Sequence, residues 1–483
     1  MQTFRVSTAK TGSAPIPFTF GFRRLHIRVE RAPLQDSHTN ILSYPILPML
    51  AHLIARLLSW ALRIRLRFGK YLNIHHSSAI DNSEEPRATF WREWTRGLDY
   101  LLARASYSDA LRRHYVAFFN DVLTPLFGPS PSEFLGSAPS SFLSDDHTPF
   151  ELIWAIGRRG NMSVRFAFEP LSTLDGSSLP PSKSMASLSS LRGMPGLDLT
   201  WSNTCRRTLL FDPPEACVVG EKNSFLHSSQ FFLGGDLEHD CTIVGKVYFL
   251  PYVRAALEGV SDFSLVNNCM SELGLEDSWG MAYSHIQSIA EISRPTIAMV
   301  AVDCIEPSRN RAKVYVRTQG STSFSDIVEL LTLGGKISDS HVVQTVAAMR
   351  HLWRLLFPGV GDDTPLSSKR GPEYYPTGFL IYYEMALGRA VPIPKVYIPV
   401  RHYCDSDSHV AAALSQYFKD IKLQEIGERY EEDLKQMFTH RDLAARTGIH
   451  TYVGICTKSS DGPAIYHYLS PEVFAPERQT AKY

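Results

Sequence analysis

"GKVYFLP", residues 245–251, carries the reading of this chain, because its central triplet returns as "AKVYVR" at 312–317 and as "PKVYIPV" at 394–400. At average amino-acid usage a chain of this length would hold about 0.05 copies of Lys-Val-Tyr by chance. Three copies, each inside an apolar run of β type, need a structural cause. In a strand, residues i and i+2 project from the same face. Lys246 with Tyr248, Lys313 with Tyr315, and Lys395 with Tyr397 therefore form matched pairs, and Val247, Val314 and Val396 point the other way.

Each triplet sits in the second strand of a hairpin. "QFFLGGDL" (230–237), "TIAMVAVDCI" (296–305) and "GFLIYYEM" (378–385) are the first strands. Two more hairpins flank these three: "FELIWAIG" (150–157) with "VRFAFEP" (164–170), and "TYVGICTK" (451–458) with "AIYHYLSP" (464–471). Gly157, Gly160 and Asn161 supply turn residues in the first hairpin. Helical patterning fills 89–128, with a break near Tyr107-Ser108, and then 197–212, 252–292, 323–357 and 408–446. A Ser/Pro/Gly-rich stretch (172–196) and a Gly/Asp/Pro/Ser loop (358–377) read as irregular. Five hairpins separated by helical spans make an internal repeat. Ten antiparallel strands are enough to close a barrel and remove exposed edges. The expected fold is α+β: a ten-stranded barrel enclosing a lumen, with helices outside. The alternative is an open antiparallel sheet with helices on one face.

Composition sets the class. The 483 residues are 44% hydrophobic and 20% charged, with zero formal net charge. A dedicated nucleic-acid binder would be basic, so that class loses ground. Seven scattered cysteines with no CxxC pair indicate neither a disulfide framework nor a zinc knuckle, and fit a reducing, cytoplasmic setting. Residues 1–87 read as an N-terminal extension, and 88–483 as the barrel domain. Within the extension, residues 45–68 place Leu50, Leu53, Ile54, Leu57, Leu58 and Ala61 at helical spacing, with His52, Arg56, Arg63 and Arg67 opposite. A basic amphipathic helix of this kind lies on a membrane surface or docks on a partner more readily than it spans.

If the valines face the helices, the lysines and tyrosines face the lumen. Arg311 joins them two residues before Lys313, Arg165 holds the matching strand of the first hairpin, and Tyr466 and Tyr468 that of the fifth. Five cations in one low-dielectric cavity repel strongly and call for a multivalent anion between them. Lysine and arginine both suit phosphate oxygens, and aromatic faces stabilise a cation. A diphosphate leaving group beside a shielded carbocation is allylic diphosphate chemistry. The acidic stretches "SDDHTP", "GDDTP" and "CDSDSH" read as loops and put no carboxylates on one helix face, so ionisation is expected to need no Mg²⁺. Neither GxxxxGK[ST] nor a convincing GxGxxG is present. Glu151, at an apolar strand start, is the candidate general base; as a bare residue type it would more often be an exposed rim glutamate. His147 reads as a loop or capping residue.

Together, "DDHTPFELIW", "VRFAFEP", "MPGLDLTW", "KVYFLP", "DCIEPSRNRAKVYVR", "LTLGG", "VPIPKVYIPVRHY" and "TYVGICTK" resemble, in order, the fungal dimethylallyltryptophan synthase family of aromatic prenyltransferases. The resemblance covers about residues 88–475 and implies the ABBA prenyltransferase barrel. It implies that Glu151 holds the indole N–H or phenol O–H. It implies that Arg165, Lys246, Arg311, Lys313 and Lys395 bind diphosphate, and that Tyr248, Tyr315, Tyr397, Tyr452 and Tyr468 shield the allyl cation. Three departures bear on the acceptor: Lys395 stands where many members have glutamine, Ala464 where many have tyrosine, with Tyr466 as its substitute, and Ser228 or Ser229 where many have lysine. The implied function is metal-independent prenyl transfer, with no cofactor, from dimethylallyl or a longer diphosphate to an indole in secondary metabolism. The alternatives are a phenolic acceptor, and a non-catalytic barrel that binds a prenyl diphosphate. The expected partners are these small molecules, with no nucleic acid, in a monomer or homodimer.

Overall fold

The structure is a computed structural model. It describes residues 18–20, 23–25, 94–130, 141, 143–173, 176–190, 197–212, 229–320, 322–369 and 377–480. The helix expected over 45–68 lies outside the described residues. Residues 1–82 form a unit of their own, described only as an antiparallel ribbon of Phe18–Phe20 with Arg23–Leu25.

The strands are β1 (Phe150–Ile156), β2 (Met162–Phe168), β3 (Phe231–Leu237), β4 (Ile243–Phe249), β5 (Thr296–Asp303), β6 (Ala312–Arg317), β7 (Leu380–Met385), β8 (Ile393–Ile398), β9 (His450–Thr457) and β10 (Pro463–Leu469). Each pairs antiparallel with its sequence neighbours, and β10 pairs back onto β1, for example Tyr468 opposite Ile153. The sheet is a closed barrel, so the open-sheet alternative is wrong.

Alternation does the sorting. Val247, Val314 and Val396 are fully buried on the outer face with Trp154, Val164, Val302 and Tyr383, packed beneath the helices. A buried side chain of this size contributes roughly 1.5–3 kcal/mol. The residues between them face inward and build two separate lumen clusters.

The helices are α1 (Thr95–Arg104), α2 (Asp109–Phe118), α3 (Pro181–Ser190), α4 (Thr200–Leu209), α5 (Tyr252–Glu258), α6 (Asp262–Glu272), α7 (Glu276–Ser288), α8 (Phe324–Thr332), α9 (Ser340–Leu356), α10 (Asp407–Asp420) and α11 (Gln424–Met437). Ser108 and Ser261 cap α2 and α6 by accepting from backbone N–H groups, and Ser323 with Asp326 forms a capping box on α8. The three long helical spans are each broken. Gly259 and Gly274 take φ of 67° and 71° in the first, Leu333 and Gly334 take 49° and 66° in the second, and Lys422 takes 67° in the third. Left-handed residues end a helix; Gly334 and Gly335 follow Leu333 and mark that stop, whereas at Lys422 no glycine announces it. The stretch read as irregular at 172–196 holds α3, which begins on Pro181.

Candidate active site

One half of the lumen is ionic. Arg165, Lys246 and Lys313 face inward from β2, β4 and β6, and the next strand opposes each with a carboxylate: Asp236 on β3, Asp303 on β5 and Glu384 on β7. Lys246 Nζ lies 2.9 Å from Asp236 and 3.2 Å from Asp303. Asp303 also holds Lys313 at 3.0 Å and Arg311 at 2.5 Å, while Arg165 stands 3.4 Å from Asp236. Glu384 pairs with Lys458, just past β9, and lies 3.7 Å from Arg311. The expectation that only a bound anion could make this cluster tolerable is therefore wrong: three acids already share the work.

The electrostatics follow from who sits beside whom. Burial disfavours the Asp303 carboxylate, but Lys246, Lys313 and Arg311 outweigh it and hold its pKa well below the usual carboxylate range. Burial likewise opposes Glu384, yet Lys458, Lys313 and Arg311 bring it down to about 2. Lys246 loses stability by desolvation but has two carboxylates, Asp236 and Asp303, and ends above an ordinary lysine. Lys313 suffers the same desolvation, shares Asp303 with two other cations, and falls to about 8.

Lys395 differs. β9 brings Cys456 beside it rather than an acid, and burial drives its pKa well below the usual lysine value. Its Nζ lies 3.5 Å from the Tyr466 ring centre and 4.4 Å from that of Tyr397, and donates to Tyr468 Oη at 3.1 Å. A Cβ on Gly454 would come within 2.7 Å of Lys395 Cε, so glycine there makes room for this stacked lysine.

The tyrosines form the next layer. Tyr248, Tyr315, Tyr382, Tyr397, Tyr466 and Tyr468 line a cavity of about 90 Å³ together with the basic side chains. Tyr468, Tyr397 and Tyr315 are linked hydroxyl to hydroxyl at 3.4 Å each. Tyr452 lies at the edge of this layer, its ring 6.3 Å from Tyr397 and its hydroxyl 3.3 Å from Arg317 Nη1.

Glu151 stands one inward-facing step beyond Ile153 on β1, about 7 Å along the strand. It is buried, not a rim residue, with 5% of its surface exposed. Thr451 Oγ1 donates to Glu151 Oε1 at 2.6 Å. Burial pushes the Glu151 carboxyl up to about 7, and the Thr451 hydrogen bond and the nearby Arg401 guanidinium only partly restrain it. Arg401 is anchored 3.4 Å from Asp145.

All the sequence-predicted residues thus gather in one barrel. Seeking the cation cluster on second strands missed Asp236, Asp303, Tyr382 and Glu384, although "GGD", "AVD" and "YYE" hold them at i+2 spacing on first strands. Lys458 and Thr451 gave no such signal. His147 lies in the loop before β1 and bonds Ser141 O at 2.8 Å. Ser229 is buried, its carbonyl accepting from Tyr252. Asp407, of "CDSDSH", begins α10 and is buried against His450 and Arg441. Among the described residues, no three His, Cys, Asp or Glu side chains gather in a metal-holding group. Among the same residues, no helix is long and apolar enough to cross a membrane.

Residues 87–433 match the family profile described as tryptophan dimethylallyltransferase. A 4-O-dimethylallyl-L-tyrosine synthase of Claviceps purpurea is 31% identical over 77% of this chain and 85% of its own length. A 7-dimethylallyltryptophan synthase of Aspergillus fumigatus is 28% identical over 80% of this chain and 85% of its own. In architecture the chain resembles AnaPT from Neosartorya fischeri (TM-score 0.67, 22% identity, 80% of this chain and 95% of that one). It also resembles NotF, solved in complex with brevianamide F and DMSPP (TM-score 0.65, 21% identity, 83% and 97%).

Proposed function

This chain belongs to the tryptophan dimethylallyltransferase family and is a prenyltransferase, and from that premise we propose that it moves a dimethylallyl group from its diphosphate to an indole, without a metal. The observation that carries the reading is the order of groups along the lumen: ionic cluster, tyrosine layer, then a buried carboxylate.

Arg165, Lys246, Arg311, Lys313, Lys395 and Lys458, which line the cavity, outnumber Asp236, Asp303 and Glu384 by three positive charges when all are ionised, and Arg389, 3.8 Å from Glu384, adds a fourth. That surplus suits a multiply charged anion. It develops fully as the anion arrives, because burial brings the pKa of Lys313 and of Lys395 below the usual lysine value despite their neighbours. The allylic C–O bond breaks with its electron pair going to the diphosphate, which stays with the cations. The allyl cation forms against the tyrosine faces, which stabilise it and exclude water. The aromatic ring attacks it, and Glu151 accepts the proton that the acceptor loses. Near pH 7 the Glu151 carboxyl, at about 7, is matched to that exchange. The carboxylates of "GDDTP" and Asp405 are engaged elsewhere: Asp405 with Lys369, Asp362 with Arg350, and Asp363 with Ser325.

A second reading, a phenolic acceptor such as tyrosine, draws support from the relative at 31% identity, whose name specifies tyrosine. A pure binding barrel is disfavoured by Glu151: a barrel that only held the diphosphate would have no use for a buried proton acceptor beyond the tyrosine layer, with its carboxyl at about 7. The test is incubation with dimethylallyl diphosphate and either tryptophan or tyrosine in excess EDTA, with product mass detection. Turnover is expected to persist in EDTA and to fall about 10²–10⁴-fold in Glu151→Gln. Near wild-type turnover in that variant would remove Glu151 from the chemistry.

A further inference from the structure

We infer that Thr451, extruded from β9 by a bulge, is the positioning residue for Glu151, and that its one hydroxyl serves the carboxyl in both protonation states, as donor to the carboxylate and as acceptor from the acid. This rests on the reading of Glu151 as the base.

His450 and Tyr452 pair with the consecutive β10 residues Leu469 and Tyr468, so Thr451 is the extra residue of the ladder. A bulge re-aims a side chain that strict alternation would send the other way. Tyr452 keeps its place in the lumen cluster, and Thr451, fully buried, also reaches inward to Glu151. The bulge is pinned from outside. Asp407 Oδ1 accepts from the His450 backbone N at 2.8 Å and lies 2.9 Å from His450 Nδ1, and Asp407 Oδ2 accepts from Ile449 N at 3.1 Å. Tyr430 Oη lies 3.0 Å from His450 Nε2, and Arg441 pairs with Asp407 at 2.5 Å. This buried network plays no part in the chemistry proposed above; holding the bulge in register gives it one.

Thr451 Oγ1 has two acceptors within reach: Glu151 Oε1 at 2.6 Å and the Tyr468 carbonyl at 3.2 Å. One hydroxyl carries one proton, so it serves one of them at a time. With Glu151 ionised, Thr451 donates to Oε1 and favours the charged form. When the carboxyl holds a proton on Oε1, the threonine proton turns to the Tyr468 carbonyl and Oγ1 accepts from Glu151. Thr451 Oγ1 thus bonds the carboxyl in either state, and the carboxyl keeps one orientation through the cycle. The other charged groups that act on Glu151 are Arg401, which favours the carboxylate, and Asp145, which opposes it. His402, 3.0 Å from Arg401 Nε, is the nearest further titratable group on that element.

The test is the pH dependence of kcat/KM, whose acidic limb reports the free-enzyme base. Thr451→Val keeps the shape and removes the donor. The limb is expected to move up by about one pH unit, because a lost hydrogen bond to the charged form raises a carboxyl. Thr451→Ser is expected to restore it, and Thr451→Cys, a weaker donor, to leave it part-way. If the valine variant does not fold, the cysteine variant decides. A limb unmoved in valine or cysteine variants, whatever happens to kcat, overturns the inference while a dead Glu151→Gln leaves the base reading standing. A fully active Glu151→Gln overturns both.

Discussion

Asp303→Asn isolates the claim that the lumen's acids, not a ligand, keep its cations tolerable. Asparagine keeps the shape and removes one charge. Lys246 would keep Asp236, while Lys313 and Arg311 would be left with Glu384, which lies 3.7 Å from Arg311. Removing one partner from a buried ion pair costs about 3–5 kcal/mol. A barrel unit of about 400 residues unfolds with an entropy near 0.8 kcal/mol per kelvin, so the ligand-free Tm should fall by roughly 4–6 °C. Inorganic diphosphate should then stabilise the variant more than the wild type, because it resupplies the lost negative charge between Lys246, Lys313 and Arg311. The assay is a thermal-shift titration of both proteins with diphosphate. A variant with wild-type Tm and a wild-type diphosphate shift would refute the reasoning, since the carboxylate would then be balancing nothing.

Lys395 and Lys246 should separate in the same assay. Lys395→Gln should weaken diphosphate binding roughly 10- to 100-fold, as loss of a charged hydrogen bond does, while leaving the ligand-free Tm at or above wild type, because no carboxylate loses its partner. Lys246→Gln should weaken binding and lower Tm, since Asp236 and Asp303 both lose one; equal Tm changes in the two variants would contradict the pairing. The Glu151 carboxyl, raised from 4.5 to about 7, binds its proton more tightly in the folded state. Its contribution therefore falls as pH rises from 4.5 to 7 and is lowest above that window. Glu151→Gln should gain up to about 3 kcal/mol at pH 8 and little at pH 5, read as a Tm difference that grows between pH 4.5 and 7 and levels off above.

How much of this is legible in the sequence depends on whether a residue acts through alternation or through pairing. Lys246 and Tyr248 announce their face by spacing alone, and the barrel follows from repeating that pattern around five hairpins. Asp236, Asp303 and Glu384 obey the same period, and become visible once first strands are read in register with the cations of the preceding hairpin. Thr451 does not. Alternation counted along "HTYVGIC" puts Tyr452, Gly454 and Cys456 inside and Thr451 outside. Only the shift in the ladder between His450 and Tyr452 reverses that. The helix end at Lys422 is hidden too: a lysine there takes a left-handed backbone that its residue type does not favour, so local propensity gives no sign of the stop.

The arrangement also explains why Glu151 and the cations can share one lumen. A carboxylate among the lumen's cations would be paired and held strongly acidic, as Glu384 is at about 2. Such a group is a poor proton acceptor at neutral pH. Glu151 sits past the tyrosine layer, has no lysine partner, and rises to about 7 through burial. The same low dielectric thus produces two kinds of carboxylate from one residue class, and the difference is whether a cation lies within contact. Moving a lysine into reach of Glu151 would convert the second kind into the first. The tyrosine layer, by keeping Lys395 on its own faces and away from Glu151, maintains that separation.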